Sequence, residues 1–212
     1  MRAVVHSNRG VTARADRDRV DEPDAFGRVL TDPRRVAAVR RLVPLYRPPS
    51  DRFDRLTRLA AHLLATPVAL LTLVEADREF FVSSFGLGEE ARLVRETSVE
   101  NSLCQKVVAT GEPVIIGDFS KSAAGTEHPA ARDFGIRAYA AMPLMSSDRW
   151  AVGTLCVIDF VPRDWTDDQL ANLDMLASIC MDEIRFSCLD RQSELNNRWG
   201  KSVGSHHLSG SL

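Results

Sequence analysis

Lysine is almost missing from this sequence: of its 27 cationic residues only Lys106, Lys121 and Lys201 are lysine. Those cations face 29 acidic residues, which leaves a formal charge of −2. A dedicated nucleic-acid binder normally carries a basic face and a high isoelectric point, so nucleic acid is not an expected partner. The arginine bias fits a GC-rich coding sequence better than a chemical need. Long apolar runs are absent as well. The longest, residues 66–74, is about half the roughly 20 residues a membrane helix needs. No apolar stretch follows Met1–Val5, so neither a signal peptide nor a membrane span is expected. The chain is therefore expected to be soluble and cytoplasmic.

Cysteine is sparse, at positions 104, 156, 180 and 188, with no CxxC and no closely spaced Cys/His set. The usual signatures of structural zinc and of iron–sulfur clusters are lost, and no metal site is expected. Cys180 and Cys188 fall in one predicted helix, roughly 12 Å apart along its axis, too far to bridge within one chain. Free thiols are the default in a reducing compartment. A glycine-rich phosphate loop is missing, and no pair of carboxylates is tied to a nucleophile. Nothing in the pattern demands catalysis, and no cofactor is named by it.

What is present suffices for one domain: 212 residues, 44% apolar and 26% charged. Residues 1–30 read as a disordered arm, 31–49 as an N-terminal helical segment, 50–190 as the domain and 191–212 as a polar tail. Asp32-Pro33 is a helix start, followed by Val36, Val39, Leu42 and Val43, and Pro48-Pro49 ends that segment. Ser50 is placed to cap a second helix, with Phe53, Leu56, Leu59, Ala60, Leu63 and Leu64 on one face. Residues 68–74 form a run suited to a strand buried on both faces, and 79–85 pairs with it as a hairpin. A helix over 98–109, a strand over 113–119 and a hairpin of 139–145 with 151–158 follow. Thr166-Asp167-Asp168-Gln169 matches a capping box. Beyond it Leu170, Leu173, Ala177, Cys180 and Ile184 repeat at 3,4 spacing, a candidate dimer seam, with Leu176 and Ile179 beside it. Helices, five or six strands and a long closing helix make an α+β sandwich.

Four segments carry a resemblance: TPVALLTLVEADREFF, RETSVENSLCQKVVATGEPVIIGDF, IRAYAAMPL and VGTLCVIDFVPRDWTDDQLANLDMLA. Over some 130 residues the chain resembles a bacterial GAF domain, the sensory module of signalling kinases, phosphatases, diguanylate cyclases and transcription regulators. The resemblance implies a central antiparallel sheet of five or six strands. It also implies terminal helices packed on one face and loops with short helices enclosing a pocket on the other. Dimers through the terminal helices are a common trait of such domains. The Asn-Lys…Phe…Asp-Glu motif of cyclic-nucleotide-binding members is absent, and so is the Cys-His pair that carries bilin. Only His62 and His128 lie in the domain as possible axial ligands for haem. The cysteine set of the methionine-sulfoxide-reducing members is not placed by this sequence.

In that arrangement the ligand lies between the sheet and residues 95–136. Strand alternation sets Phe81, Ser83 and Phe85 on one face, and a one-residue slip would reverse it. With Phe119, Phe134 and Tyr139 they suit a flat or apolar ligand, or else fill a core. Arg95 stands before the 98–109 helix, where it can bind a carboxylate or phosphate, or pair with Glu96. His128 falls in a loop over the presumed pocket, as a ligand contact or a surface residue. Cys104 sits near a helix start, which favours a thiolate, with Cys156 in a central strand across from it. Both can equally be inert packing.

Three functions follow as expectations. The first is a small-molecule sensor, not an enzyme, that dimerises and signals to a partner protein through an unknown ligand. The second is a thiol-based redox sensor or reductase using Cys104 and Cys156. The third is a ligand-free dimerisation adaptor.

Overall fold

The computed structural model describes residues 23–42, 51–88, 95–99, 102–122 and 128–204. The Ser50 cap, Val43, and the terminal residues 1–22 and 205–212 lie outside the described residues. Two short helices open the chain, α1 (Pro23–Leu30) and α2 (Pro33–Arg40), and α3 spans Asp51–Leu64. Strands β1 (Val68–Val74), β2 (Arg78–Phe85) and β3 (Glu96–Ser98) come next, then α4 (Cys104–Thr110) and β4 (Val114–Ile116). A 3-10 turn (Phe119–Lys121) and α5 (Pro129–Phe134) lead to β5 (Ala138–Met145) and β6 (Ala151–Asp159). The closing helix α6 runs Asp167–Gly204. All strand pairs are antiparallel, in the order β3-β2-β1-β6-β5-β4. This is the expected α+β sandwich, with six strands where five or six were expected.

Local chemistry accounts for the helix starts. Asp32 caps α2 through its carboxylate, which accepts from the Arg34 and Arg35 amides, with Pro33 supplying the first turn. The capping box forms as the spacing predicts: Gln169 N donates to Thr166 Oγ1 and Thr166 N donates to Gln169 Oε1. β1 and β6 are buried along their whole lengths. Alternate residues therefore feed two separate cores. Ala69, Leu71 and Leu73 of β1 face α3 and α6, with Ala140, Met142, Leu155 and Val157 from the far strands. Leu70 and Val74 face the other way, toward α1, α4, Tyr139 and Cys156. Each fully buried Leu or Val on these faces contributes roughly 1.5–3 kcal/mol through water exclusion.

Three expectations change. The predicted arm over 1–30 gives way to helix at Pro23–Leu30, where Leu30 is buried in the second core beside α4. The reason is Arg35, fully buried on α2, whose guanidinium donates to Leu30 O, Val74 O and Glu75 O. One side chain thus ties the α1–α2 turn to the C-terminal end of β1. The polar segment from 191 continues α6 through Gly204. Third, Leu170, Leu173, Ala177, Cys180 and Ile184 are all buried in the chain's own α3–α6 core, so that repeat is not a dimer seam. A helix lying on a sheet needs such a stripe as much as a coiled coil does. Among the described side chains, the large exposed apolar ones of α6 are Met175, Ile179, Phe186 and Leu189, and of α3 Leu59 and Leu63.

Candidate functional site

On the face away from α3 and α6, the sheet carries a buried polar cluster. β2 supplies Glu79, β1 Thr72, β5 Tyr139, β6 Thr154 and Cys156, and the segment entering α4 supplies Ser102 and Cys104. Antiparallel register sets the rows: Thr72 is opposite Thr154, and Cys156 lies between Leu70 and Ala141. Gly153 makes the β1–β6 approach possible, because a Cβ there would meet Thr72 O at 2.0 Å.

Hydrogen bonds link these groups. Thr72 Oγ1 and Thr154 Oγ1 are 3.0 Å apart, and Thr154 Oγ1 donates to Cys104 Sγ at 3.2 Å. Tyr139 Oη lies 3.3 Å from the same sulfur. Ser102 Oγ donates to Glu79 Oε2 and accepts from Cys104 N at 3.0 Å. Glu79 is only 3% exposed, and its Oε1 is buried without a hydrogen bond of ordinary geometry. The carboxyl is nevertheless close enough to Cys104 and Thr72 for both to influence its ionisation.

Burial first, then the neighbouring Cys104, pushes the Glu79 carboxyl well above the usual range, which favours its protonated form. The Cys104 thiol moves the other way, down to about 5, chiefly because the Cys156 S–H donates to its sulfur. Glu79, Thr154 and Tyr139 add donors, and burial opposes them. Cys156 is raised in turn, by that same bond and by burial. Burial and the Cys104 charge raise the Tyr139 phenol. These shifts together favour a negative charge on the Cys104 sulfur and the protonated forms of the groups around it. Oppositely shifted groups this close together make the cluster a functional-site candidate.

The sequence candidates divide around this cluster. Cys104, Cys156 and Tyr139 are in it. Phe81 faces the same side, partly buried, and Phe119 is fully buried there with its ring 6.0 Å from that of His128. Ser83 and Phe85 are on the opposite face, which corrects the expected alternation. A bulge between Leu71 and Thr72 pairs Leu71 with Ser83 but Thr72 with Phe81. Val82 is the extra residue, so the side chains after it switch faces. Ser83 then bonds Thr57 at 2.9 Å and Asp54 at 2.5 Å on α3, and Phe85 packs near His62. Phe134 points outward at 70% exposure. Arg95 also misses the cluster: it donates to Phe81 O and Val82 O and lies 4.8 Å over the Phe80 ring. An open cleft of about 410 Å³ along β4, lined in part by Ile116, Asp118, Lys121 and Arg163, contains none of the cluster residues. Asp118 there is held down to about 2 by the Arg137 guanidinium and the Ser120 hydroxyl and amide.

Glu79, Ser102, Thr72 and Thr154 are the site residues not read from the sequence. The available signal was Thr72, a hydroxyl inside an otherwise apolar run, which demands a buried partner.

The family model described as GAF domain matches residues 48–184. The chain belongs to the GAF family. Among curated proteins, this GAF chain is 26% identical over 152 residues to the cyclic di-GMP phosphodiesterase PA2567 of Pseudomonas aeruginosa. The match covers 69% of the chain and 25% of that protein, so the chain spans about a quarter of its relative's length. Among solved structures, the GAF domain of a phosphoenolpyruvate-protein phosphotransferase from Coxiella burnetii aligns with TM-score 0.57 at 13% identity, over 74% of this chain and 96% of that one. The free methionine-R-sulfoxide reductase of Neisseria meningitidis aligns with TM-score 0.53 at 17% identity, covering 81% and 88%. At these identities the likeness is one of fold. As a GAF domain the chain is a sensing and signalling module by family. No described helix is long and apolar enough to cross a membrane.

Proposed function

We propose that this GAF module is a homodimeric small-molecule sensor whose ligand site is the Glu79–Cys104–Tyr139 cluster and whose output goes to a signalling partner protein. The carrying observation is the buried Glu79 Oε1 with no bond of ordinary geometry, inside a network where the other polar groups are satisfied. Burying a carboxyl costs several kcal/mol without full compensation, and a core with no other role favours an apolar residue there. A ligand that accepts a hydrogen bond from the protonated carboxyl at that oxygen would supply the missing bond. Its arrival would press on α4 and β2, and the shared strands β1 and β6 connect them to α3 and α6. On α6, Met175, Ile179, Phe186 and Leu189 form one exposed stripe at 4- and 3-residue spacing, with Asp182 inside it. That stripe, flanked by Leu59 and Leu63, is the surface a second copy would cover.

Native mass spectrometry of the untagged protein, set beside its denatured mass and absorption spectrum, tests both parts. A dimer carrying a non-covalent mass excess supports the sensor. A clean apo dimer that no metabolite stabilises points to the adaptor instead, and a monomer removes the dimeric reading.

A second reading, a thiol device, is favoured by the Cys104 sulfur itself. It accepts from Thr154, contacts Tyr139 and lies within hydrogen-bonding reach of Cys156.

A further inference from the structure

The cluster brings together three things that the chemistry of peroxides requires. The Cys104 sulfur is a nucleophile held among hydroxyl donors from Thr154 and Tyr139. Cys156 is a second thiol in the same buried layer, two residues along β6 from the Thr154 that touches the Cys104 sulfur. The Glu79 carboxyl is buried beside both, anchored through Oε2 by Ser102, with Oε1 making no hydrogen bond of ordinary geometry. All of these groups are buried, so an attacking electrophile has to be small. Cys180, on the other face of the sheet, is buried with its thiol pushed up to about 12, which leaves it unreactive.

We propose that a small hydroperoxide converts Cys104 and Cys156 into a disulfide, and that Glu79 donates the proton the departing oxygen needs. This rests on the thiol reading above. The Cys104 thiolate attacks the terminal oxygen of ROOH: the S–O bond forms, the O–O bond breaks, and RO⁻ takes the Glu79 proton and leaves as ROH. The sulfur is oxidised by two electrons and the peroxide is reduced. Cys156 then attacks the Cys104 sulfenic acid; the S–S bond forms, the S–O bond breaks, and hydroxide leaves as water with the Cys156 proton. The sum is thiolate, thiol, carboxylic acid and ROOH giving disulfide, carboxylate, ROH and water, with the single negative charge conserved. That charge has moved from sulfur to a buried carboxylate. A carboxylate in that position is costly unless the structure opens toward solvent, which gives oxidation a conformational consequence.

The test treats the full chain with hydrogen peroxide and follows intact mass and peptide maps. The expected product loses two hydrogens and joins the peptides of Cys104 and Cys156, while Cys156→Ser stops at a sulfenic acid that dimedone traps on Cys104. Glu79→Gln should slow the peroxide step roughly a hundredfold, the usual scale for a positioned general acid. The same variant should slow alkylation of Cys104 by iodoacetamide far less, because departing iodide takes no proton and only the hydrogen bond from Glu79 to the sulfur changes. In the wild-type chain a solvent deuterium effect is expected on the peroxide step and none on alkylation. Absence of the 104–156 link overturns the thiol reading and this proposal with it. A link that forms at the wild-type rate in Glu79→Gln, or a variant that slows both reactions equally, overturns the role of Glu79 alone. Equal isotope effects on the two wild-type reactions do the same.

Discussion

Replacing Glu79 by Gln and Cys104 by Ser should tilt the pH dependence of stability in opposite directions. Gln has the shape of the protonated carboxyl, so Glu79→Gln keeps the cluster's volume. In the unfolded chain a Glu titrates near 4.3 and a Cys near 8.5. Folding raises Glu79 and lowers Cys104 to about 5. A raised group contributes stability that is fully present below its unfolded pKa and lost as pH rises through the folded one. A lowered group contributes stability present above its unfolded pKa and lost as pH falls through the folded one. Above about pH 5 the raised Glu79 and the lowered Cys104 therefore push the pH dependence of stability in opposite directions. Glu79→Gln removes the first, and stability should rise with pH by about 1.4 kcal/mol per unit, or roughly 2.7 kcal/mol from pH 6 to 8. Cys104→Ser removes the second, and stability should fall as pH rises, because the raised Glu79 is then unopposed. Cys156 and Tyr139 are both raised and keep their protons in both states over that range. Urea unfolding under reducing conditions at pH 6, 7 and 8, at one ionic strength, reads the slopes. Three parallel lines would refute the opposed ionisation of Glu79 and Cys104.

Ile179→Arg, in the middle of the exposed α6 stripe, should turn a dimer into a monomer in sedimentation equilibrium while leaving the circular dichroism spectrum and melting temperature of the monomer intact. Gly153→Ala should destabilise by more than about 2 kcal/mol in urea unfolding, since the new Cβ would meet Thr72 O on the neighbouring strand. Arg35→Ala should cost about 3 kcal/mol or more, because Leu30 O, Val74 O and Glu75 O lose buried donors together. Hydrogen exchange should then show α1 released before the sheet.

The fold was legible because its elements carry their own punctuation. Pro33 after Asp32 and the Thr166–Gln169 box name helix starts outright, and the unbroken apolar residues of β1 name a central strand. The site was legible only in part. Cys104, Cys156 and Tyr139 were read because thiols and aromatics stand out by type. Glu79 was not, since an acidic residue at a strand start reads as solvated, and only register with Val74 and the fold of the 102–104 segment bury it. The Val82 bulge carries no glycine or asparagine to announce it, so the switch of Ser83 and Phe85 to α3 was invisible. The α6 repeat misled for a different reason. Apolar spacing says that a stripe is covered, and it does not say whether a sheet or a second copy covers it.

β1 deserves a last consideration as a shared wall. Its odd-numbered residues Ala69, Leu71 and Leu73 belong to the α3–α6 layer, and its even-numbered Leu70, Thr72 and Val74 to the thiol side. Neighbouring codons therefore answer to different selective pressures. Drift at positions 69, 71 and 73 is filtered by fit against the helices. Drift at 70, 72 and 74 is filtered by whatever the cluster does. A strand of seven residues leaves little freedom to satisfy both, and compensating changes for one face have to be sought on α6 and for the other on α4.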